Sequence, residues 1–244
     1  MKKLLTVLML FAALTSYGQL PKEIIIHKQN YTIHYSLENK VPIYSEYYFT
    51  VKNRKPNQVA SRSAGFKQDD AVPSDKQATN KDYAKPYDRG HLTPDDDMRF
   101  STDAEKETMI FTNCAPQWNT FNEILWRSIE NYVRDLGDDY DTLVVITGII
   151  VDTKNYIGNG IKIPSYYYKA IQIRLSGKIL NTIAFLCKNE DYDLANQPNK
   201  KTNISNYATT VSKLEKMTGI KMFVDDRFKD NNVLITPQKH SKIK

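Results

Sequence analysis

The chain has 244 residues, 41% of them hydrophobic and 25% charged, with a formal net charge of +6. This is ordinary globular composition of about the right length for one large domain, and the mild basic excess permits a polyanionic partner without requiring one. Two cysteines are too few for a disulfide framework, and four scattered histidines with no Cys-x-x-Cys or His-x-x-x-His pair argue against a structural zinc site.

The chain begins with Lys2 and Lys3, an apolar run from Leu4 to Leu14, and Ser16-Tyr17-Gly18 ahead of Gln19. This is the pattern of a secretory signal peptide over residues 1–18, and the run is short for a membrane span. It predicts a secreted or periplasmic protein with residues 19–244 as a single domain. No second apolar run approaches membrane-spanning length, so no membrane association is expected. Cys114 and Cys187 could form one bridge, but each lies in an apolar stretch, which favours buried free thiols.

Residues 21–52 alternate apolar and polar positions, which predicts two or three strands. Residues 53–90, broken by Pro56, Pro73 and Pro86, read as mostly loop, locally basic. Ser101 is placed to cap a helix through Glu107, and residues 109–113 read as a short strand. Phe121, Leu125, Ile129, Tyr132, Val133 and Leu136 recur at helical spacing, predicting a helix from about Trp118 to Leu136 that ends before Gly137. Residues 142–151 form a β-branched apolar run suited to a central strand. Two further strand patterns joined at Ser176-Gly177 read as a hairpin. Beyond a polar loop at 188–203, a helix capped by Ser205 should run to Thr218, followed by a short strand KMFVD and a basic tail from Gln238. Strands and helices mix without regular βαβ alternation, so the expected class is α+β, a mainly antiparallel sheet flanked by helices.

The chemistry concentrates in Asp88-Arg89-Gly90-His91, then Asn113-Cys114-Ala115-Pro116-Gln117, then Asn122. Phosphodiester hydrolysis needs a base to activate water, positive charge on the phosphorane and a cation near the leaving oxygen. Histidine titrates near working pH, and the arginine fork matches two phosphate oxygens. Gly90 between them would allow a close backbone approach or a sharp turn. Asn122, Trp126 and Glu130 follow at four-residue intervals and should share roughly one helix face. By itself that face reads as a polar stripe with a buried tryptophan, and a lone histidine is more often structural than catalytic.

Taken together, DRGHL, N-x-A-P-Q and N-x₃-W-x₃-E, in that order, resemble the DNA/RNA non-specific endonuclease family. Weaker echoes at Arg62-x₃-Phe66, 147–148, 163–169 and 213–223 extend the resemblance over about residues 47–228. The resemblance implies a ββα-metal (His-Me finger) core and a metal-dependent nuclease cutting both DNA and RNA, leaving 5′-phosphate and 3′-hydroxyl ends. It maps His91 to the general base and Asn122 to the one side chain on Mg²⁺, with Mn²⁺ an alternative of similar oxygen preference. Glu130 matches a carboxylate that supports the metal through its hydration shell. Arg89 and Arg62 match arginines that bind the phosphate, and Asn113 matches a polar residue beside the site. Asp88 reads as structural, positioning a turn, while Asp95, Asp96 and Asp97 are expected to face solvent or act as caps. Lys169, at a strand end, reads as solvated. A homodimer is compatible with the resemblance. The rival functions are an extracellular phosphodiesterase acting on nucleotides or small diesters, and a catalytically silent nucleic-acid-binding protein.

Overall fold

The computed structural model describes residues 22–63, 65–192, 203–224 and 226–237. The expected signal segment at 1–18, most of the polar loop and the basic tail lie outside them. Three strands open the chain: β1 (Glu23–His27), β2 (Tyr31–Ser36) and β3 (Val41–Thr50). After a long stretch of loop and single 3₁₀ turns come β4 (Tyr87–His91), α1 (Thr102–Thr108) and β5 (Cys114–Trp118). A π-helical segment (Phe121–Trp126) runs directly into α2 (Arg127–Asp139). Next come β6 (Thr142–Ile150), the short β7 (Tyr156–Ile157) and β8 (Ile161–Lys162), and the hairpin β9 (Tyr166–Leu175) and β10 (Lys178–Lys188). The two-residue β11 (Ala208–Thr209) and α3 (Val211–Thr218) complete the described elements.

Seven strands form one antiparallel sheet in the order β1-β2-β3-β6-β9-β10-β11. Alternation along β6 and β9 sends Leu143, Val145, Tyr167 and Ile171 to one face and Ile146, Tyr168 and Ala170 to the other. Both faces are covered, so both rows are apolar. The first face packs on Phe121, Trp126, Ile129, Val133 and Leu136 of the π segment and α2. The second packs on Val211 and Leu214 of α3. The β9–β10 turn places Ser176 and Gly177 at φ 49° and 75°, the left-handed pair that matches the twist of a two-residue hairpin.

The β4–β5 pair stands apart from the large sheet, antiparallel, with His91 opposite Cys114 and Tyr87 opposite Trp118. Followed by the π segment and α2, it makes the expected ββα unit. Gly90 does not serve a turn, since it lies within β4. A Cβ there would come 2.1 Å from Gln117 Oε1, so glycine is needed to let the Gln117 side chain cross the strand.

Several local expectations change. The segment expected as a strand at 109–113 is a 3₁₀ turn at Phe111–Asn113, and the strand begins at Cys114. The long helix continues through Gly137 to Asp139, where the glycine makes room for Phe49. Ser101 does cap α1, accepting from Asp103 and Ala104 amides. Ser205, by contrast, falls in a 3₁₀ turn, and Thr210 caps α3 by accepting from Lys213. KMFVD forms no strand among its described residues. Cys114 and Cys187 are both buried and free.

Candidate active site

β4 and the helical run beside it enclose a cavity of about 550 Å³. Asp88, Arg89 and His91 line it from β4, with Arg62 and Phe66 from the preceding loop. Asn122, Glu123, Arg127, Glu130 and Arg134 line the opposing helical wall. Asp95 and Asp96 close the floor. Residues from 62 to 134 thus meet in one place because β4 pairs with β5 and the helical run starts directly after β5 ends.

His91 is 8% exposed, its ring lying 4.8 Å from Phe66 between centroids. Its Nε2 is buried without a hydrogen-bond partner among the described residues. Burial lowers the imidazole pKa to about 4, against the pull of Asp95, with Arg62 and Arg89 adding to the depression. The ring is therefore neutral, with a lone pair available, across the ordinary pH range. Arg89, two residues earlier on the same strand face, is exposed and lies 5.4 Å above the Phe66 ring and 6.0 Å from that of Tyr83. These stacks hold a flexible guanidinium beside His91.

On the helical wall, the Asn122 amide nitrogen donates to Asp88 Oδ2 at 3.0 Å. Asp88 therefore positions an amide, not a turn, and leaves the Asn122 Oδ1 without a hydrogen-bond partner among the described residues. That free oxygen, with carboxylates of Asp88 and Glu130 on the same cavity, suits a hard divalent cation. No cluster of three His, Cys, Asp or Glu side chains able to hold a metal occurs among the described residues, so a cation here would keep much of its hydration shell. The expected common face of Asn122, Trp126 and Glu130 is only partly realised. Asn122 and Glu130 border the cavity, while Trp126 is 1% exposed and packs on Phe121 and Tyr167. The π turn between them shifts the helical register, a recurrent device at functional sites.

Of the three consecutive aspartates only Asp96 is partly solvated, while Asp95 and Asp97 are buried in ion pairs. Asp97 is 1% exposed, pairs with Arg134 at 2.9 Å and accepts from the Tyr47 hydroxyl at 2.6 Å. Asp95 pairs with Arg99 at 2.7 Å and lies 4.0 Å from Arg62. Asp96 pairs with Arg99 at 2.8 Å. Burial opposes the charge of Asp95, yet His91 and the two arginines outweigh it and hold its carboxyl below the usual range. The acids are thereby neutralised and do not present bare charge to a polyanion.

Lys169 corrects another expectation. It sits in mid-β9, fully buried, donating to Thr147 Oγ1 at 2.6 Å with its ammonium 5.0 Å from the Trp126 ring. Ser45, Thr147 and Lys169 are register partners across β3, β6 and β9, a polar row on the face beneath the cavity. Ser45 accepts from the Thr93 hydroxyl at 3.0 Å and so ties that row to the loop after His91. Burial lowers the Lys169 pKa and raises that of Glu130, and each charge opposes the shift of the other.

Asn113 does not line the cavity. It is fully buried, donating to the carbonyls of Thr93 and Thr108 at 2.9 and 3.0 Å and accepting from the Thr93 amide at 3.0 Å. Its place is to hold the chain just after His91. Arg134 and Arg127 were not singled out in the sequence. Arg134 did continue the four-residue series 122, 126, 130, and that spacing was the signal that could have found it.

A family profile described as DNA/RNA non-specific endonuclease matches residues 14–227, and the chain belongs to that family. It is 29% identical to human mitochondrial endonuclease G over 147 residues, covering 55% of this chain and 50% of the relative. It is 31% identical to the mitochondrial nuclease EXOG of Xenopus laevis over 173 residues, covering 65% and 47%. The chain thus spans about half the length of these curated relatives. A crystal structure of an EndoG/EndoGI complex aligns with a TM-score of 0.69 at 26% identity, over 81% of this chain and 84% of that one. The mixed α+β class and the recognition of the family are borne out. The secreted or periplasmic destination is not, because relatives from human, frog, budding yeast and fission yeast are all named as mitochondrial nucleases.

Proposed function

We propose that the chain is a metal-dependent nuclease hydrolysing phosphodiester bonds in both DNA and RNA, with His91 as the general base. The observation that carries this reading is a buried, neutral imidazole that lines, together with the Asn122 amide, a cavity rimmed by arginines. His91 would take the proton of the attacking water, since its ring is unprotonated and its buried Nε2 has no hydrogen-bond partner among the described residues. Arg89, steadied on Phe66 and Tyr83, would bind the scissile phosphate and offset charge as it grows on the phosphorane, with Arg62 beside it. Asn122 would hold Mg²⁺ through Oδ1, oriented by Asp88, and Glu130 would support its hydration shell. When bound, the cation supplies positive charge at the leaving oxygen.

Contacts to phosphate carry no sequence information, so a site built from arginines and an amide fits cleavage with little regard to base or sugar. By resemblance the products carry 5′-phosphate and 3′-hydroxyl ends. Steady-state cleavage by His91→Ala and a Mg²⁺ titration of Asn122→Ala test the assignment. The first should lose roughly 10² to 10⁴ in rate, the range of a general base. The second should need roughly ten- to a hundredfold more metal for half-maximal activity. Parent-like behaviour of either variant would remove the corresponding residue from the mechanism.

A further inference from the structure

Four arginines line the cavity, and three have partners. Arg134 is paired with Asp97, Arg62 lies near Asp95, and Arg89 is stacked on Phe66 and reaches Asn80 Oδ1 at 3.5 Å. The fourth, Arg127, is exposed at the start of α2, and its guanidinium makes no hydrogen bond, ion pair or ring contact among the described residues. It forms no ion pair even with Glu123, one turn earlier on the same wall. An arginine left uncommitted beside several carboxylates keeps its whole charge for something entering from solvent.

Position narrows what that is. Arg89 and His91 share one strand face, so the scissile phosphate belongs between β4 and Asn122. Arg127 lies five residues past Asn122, one π-helical turn along the wall, its backbone amide donating to the Asn122 carbonyl. It therefore stands to one side of the scissile position, on the wall opposite Arg89. We propose that Arg127 binds a substrate phosphate next to the scissile one, so that the cavity favours polynucleotides over isolated diesters. The assignment rests on the nuclease reading above and adds a second phosphate position to it. It needs only a planar bidentate fork meeting a non-bridging pair of oxygens, and no base contact.

The test compares Arg127→Gln, Arg127→Lys and the parent full chain with Mg²⁺, on a short single-stranded oligonucleotide and on bis(p-nitrophenyl) phosphate, which has one phosphate only. Arg127→Gln should raise KM for the oligonucleotide roughly tenfold, the loss of one charge-assisted contact, with kcat largely kept. The slope of log KM against log salt should fall in magnitude by roughly 0.7, one phosphate contact on a single strand. The one-phosphate substrate should show a much smaller penalty, and Arg127→Lys, which keeps the charge but not the fork, should restore the salt slope and only part of the oligonucleotide affinity. An equal penalty on both substrates, or an unchanged KM and salt slope on the oligonucleotide, overturns the assignment while leaving the nuclease intact. A parent that cleaves neither substrate overturns the nuclease reading and Arg127 with it.

Discussion

At His91 two influences compete: burial disfavours the imidazolium and Asp95 favours it. Burial wins, and the pKa falls to about 4. A base that stays unprotonated to that point should give kcat/KM an acid limb near pH 4, and a limb at the ordinary histidine value would contradict the burial. The same shift carries a stability consequence. Between the two pKa values the unfolded chain binds the proton and the folded one does not, so stability rises with pH there. The contribution is fully present above the unfolded value of about 6.5 and is lost as pH falls towards 4, amounting to about 3 kcal/mol. Urea melts across that window should show the loss in the parent and not in His91→Ala. Asn113 is the contrasting case, because its three hydrogen bonds go to backbone groups that would be left buried and unpaired. Asn113→Ala should cost about 3 kcal/mol or more in stability, visible as a lower Tm. Loss of activity with an unchanged Tm would instead give Asn113 a direct part in the chemistry. His91, Arg89 and Asn122, singled out by strong local motifs, do meet in one cavity. Asp88 was misread because its role lies in a contact with Asn122, 34 positions away, which only pairing of β4 with β5 brings about.

Among the elements, those set by apolar period were the readable ones: the buried run of β6, the β9–β10 hairpin and the helical face of α2. The π segment was not, since a widened turn leaves the same apolar spacing in the sequence. Lys169 was misplaced for a related reason. A lysine in a strand pattern reads as solvated, and only the register with Thr147 and the cover of Trp126 show why it can be buried. Gly137 was read as a helix stop, although it lies inside α2 because Phe49 from β3 occupies the place of its side chain. A Cβ there would come 2.2 Å from Phe49 Cε1. Alanine in a helix interior normally gains about 1 kcal/mol over glycine, whereas overpacking costs about 1–3 kcal/mol. Gly137→Ala should therefore destabilise in denaturant titrations, and Phe49→Leu in the same chain should recover part of the loss. A stabilised Gly137→Ala would mean that Phe49 moves aside freely.

Across the whole molecule, the sheet acts as a platform with a different task on each face. One face anchors α3, and the other carries α2 and the polar row of Ser45, Thr147 and Lys169 beneath the cavity. Charge is layered in the same direction. Asp97 and Arg134 are paired at depth, Asp95 and Asp96 are bound by Arg99 above them, and Arg89 and Arg127 stand exposed at the rim. Acids that would repel a phosphate are thus neutralised before the substrate meets them. Composition and net charge conveyed none of this layering, because they do not say which acid meets which base. The N-terminal pattern was read as a secretory signal, a destination that the relatives named as mitochondrial nucleases speak against and that folding physics does not address. The most direct measurement is digestion of plasmid DNA and of total RNA by the full chain with Mg²⁺, with EDTA, and beside His91→Ala. The expected result is metal-dependent breakdown of both substrates, lost with EDTA and lost in the variant. Intact substrates across a series of divalent metals, or undiminished cleavage by His91→Ala, would contradict it.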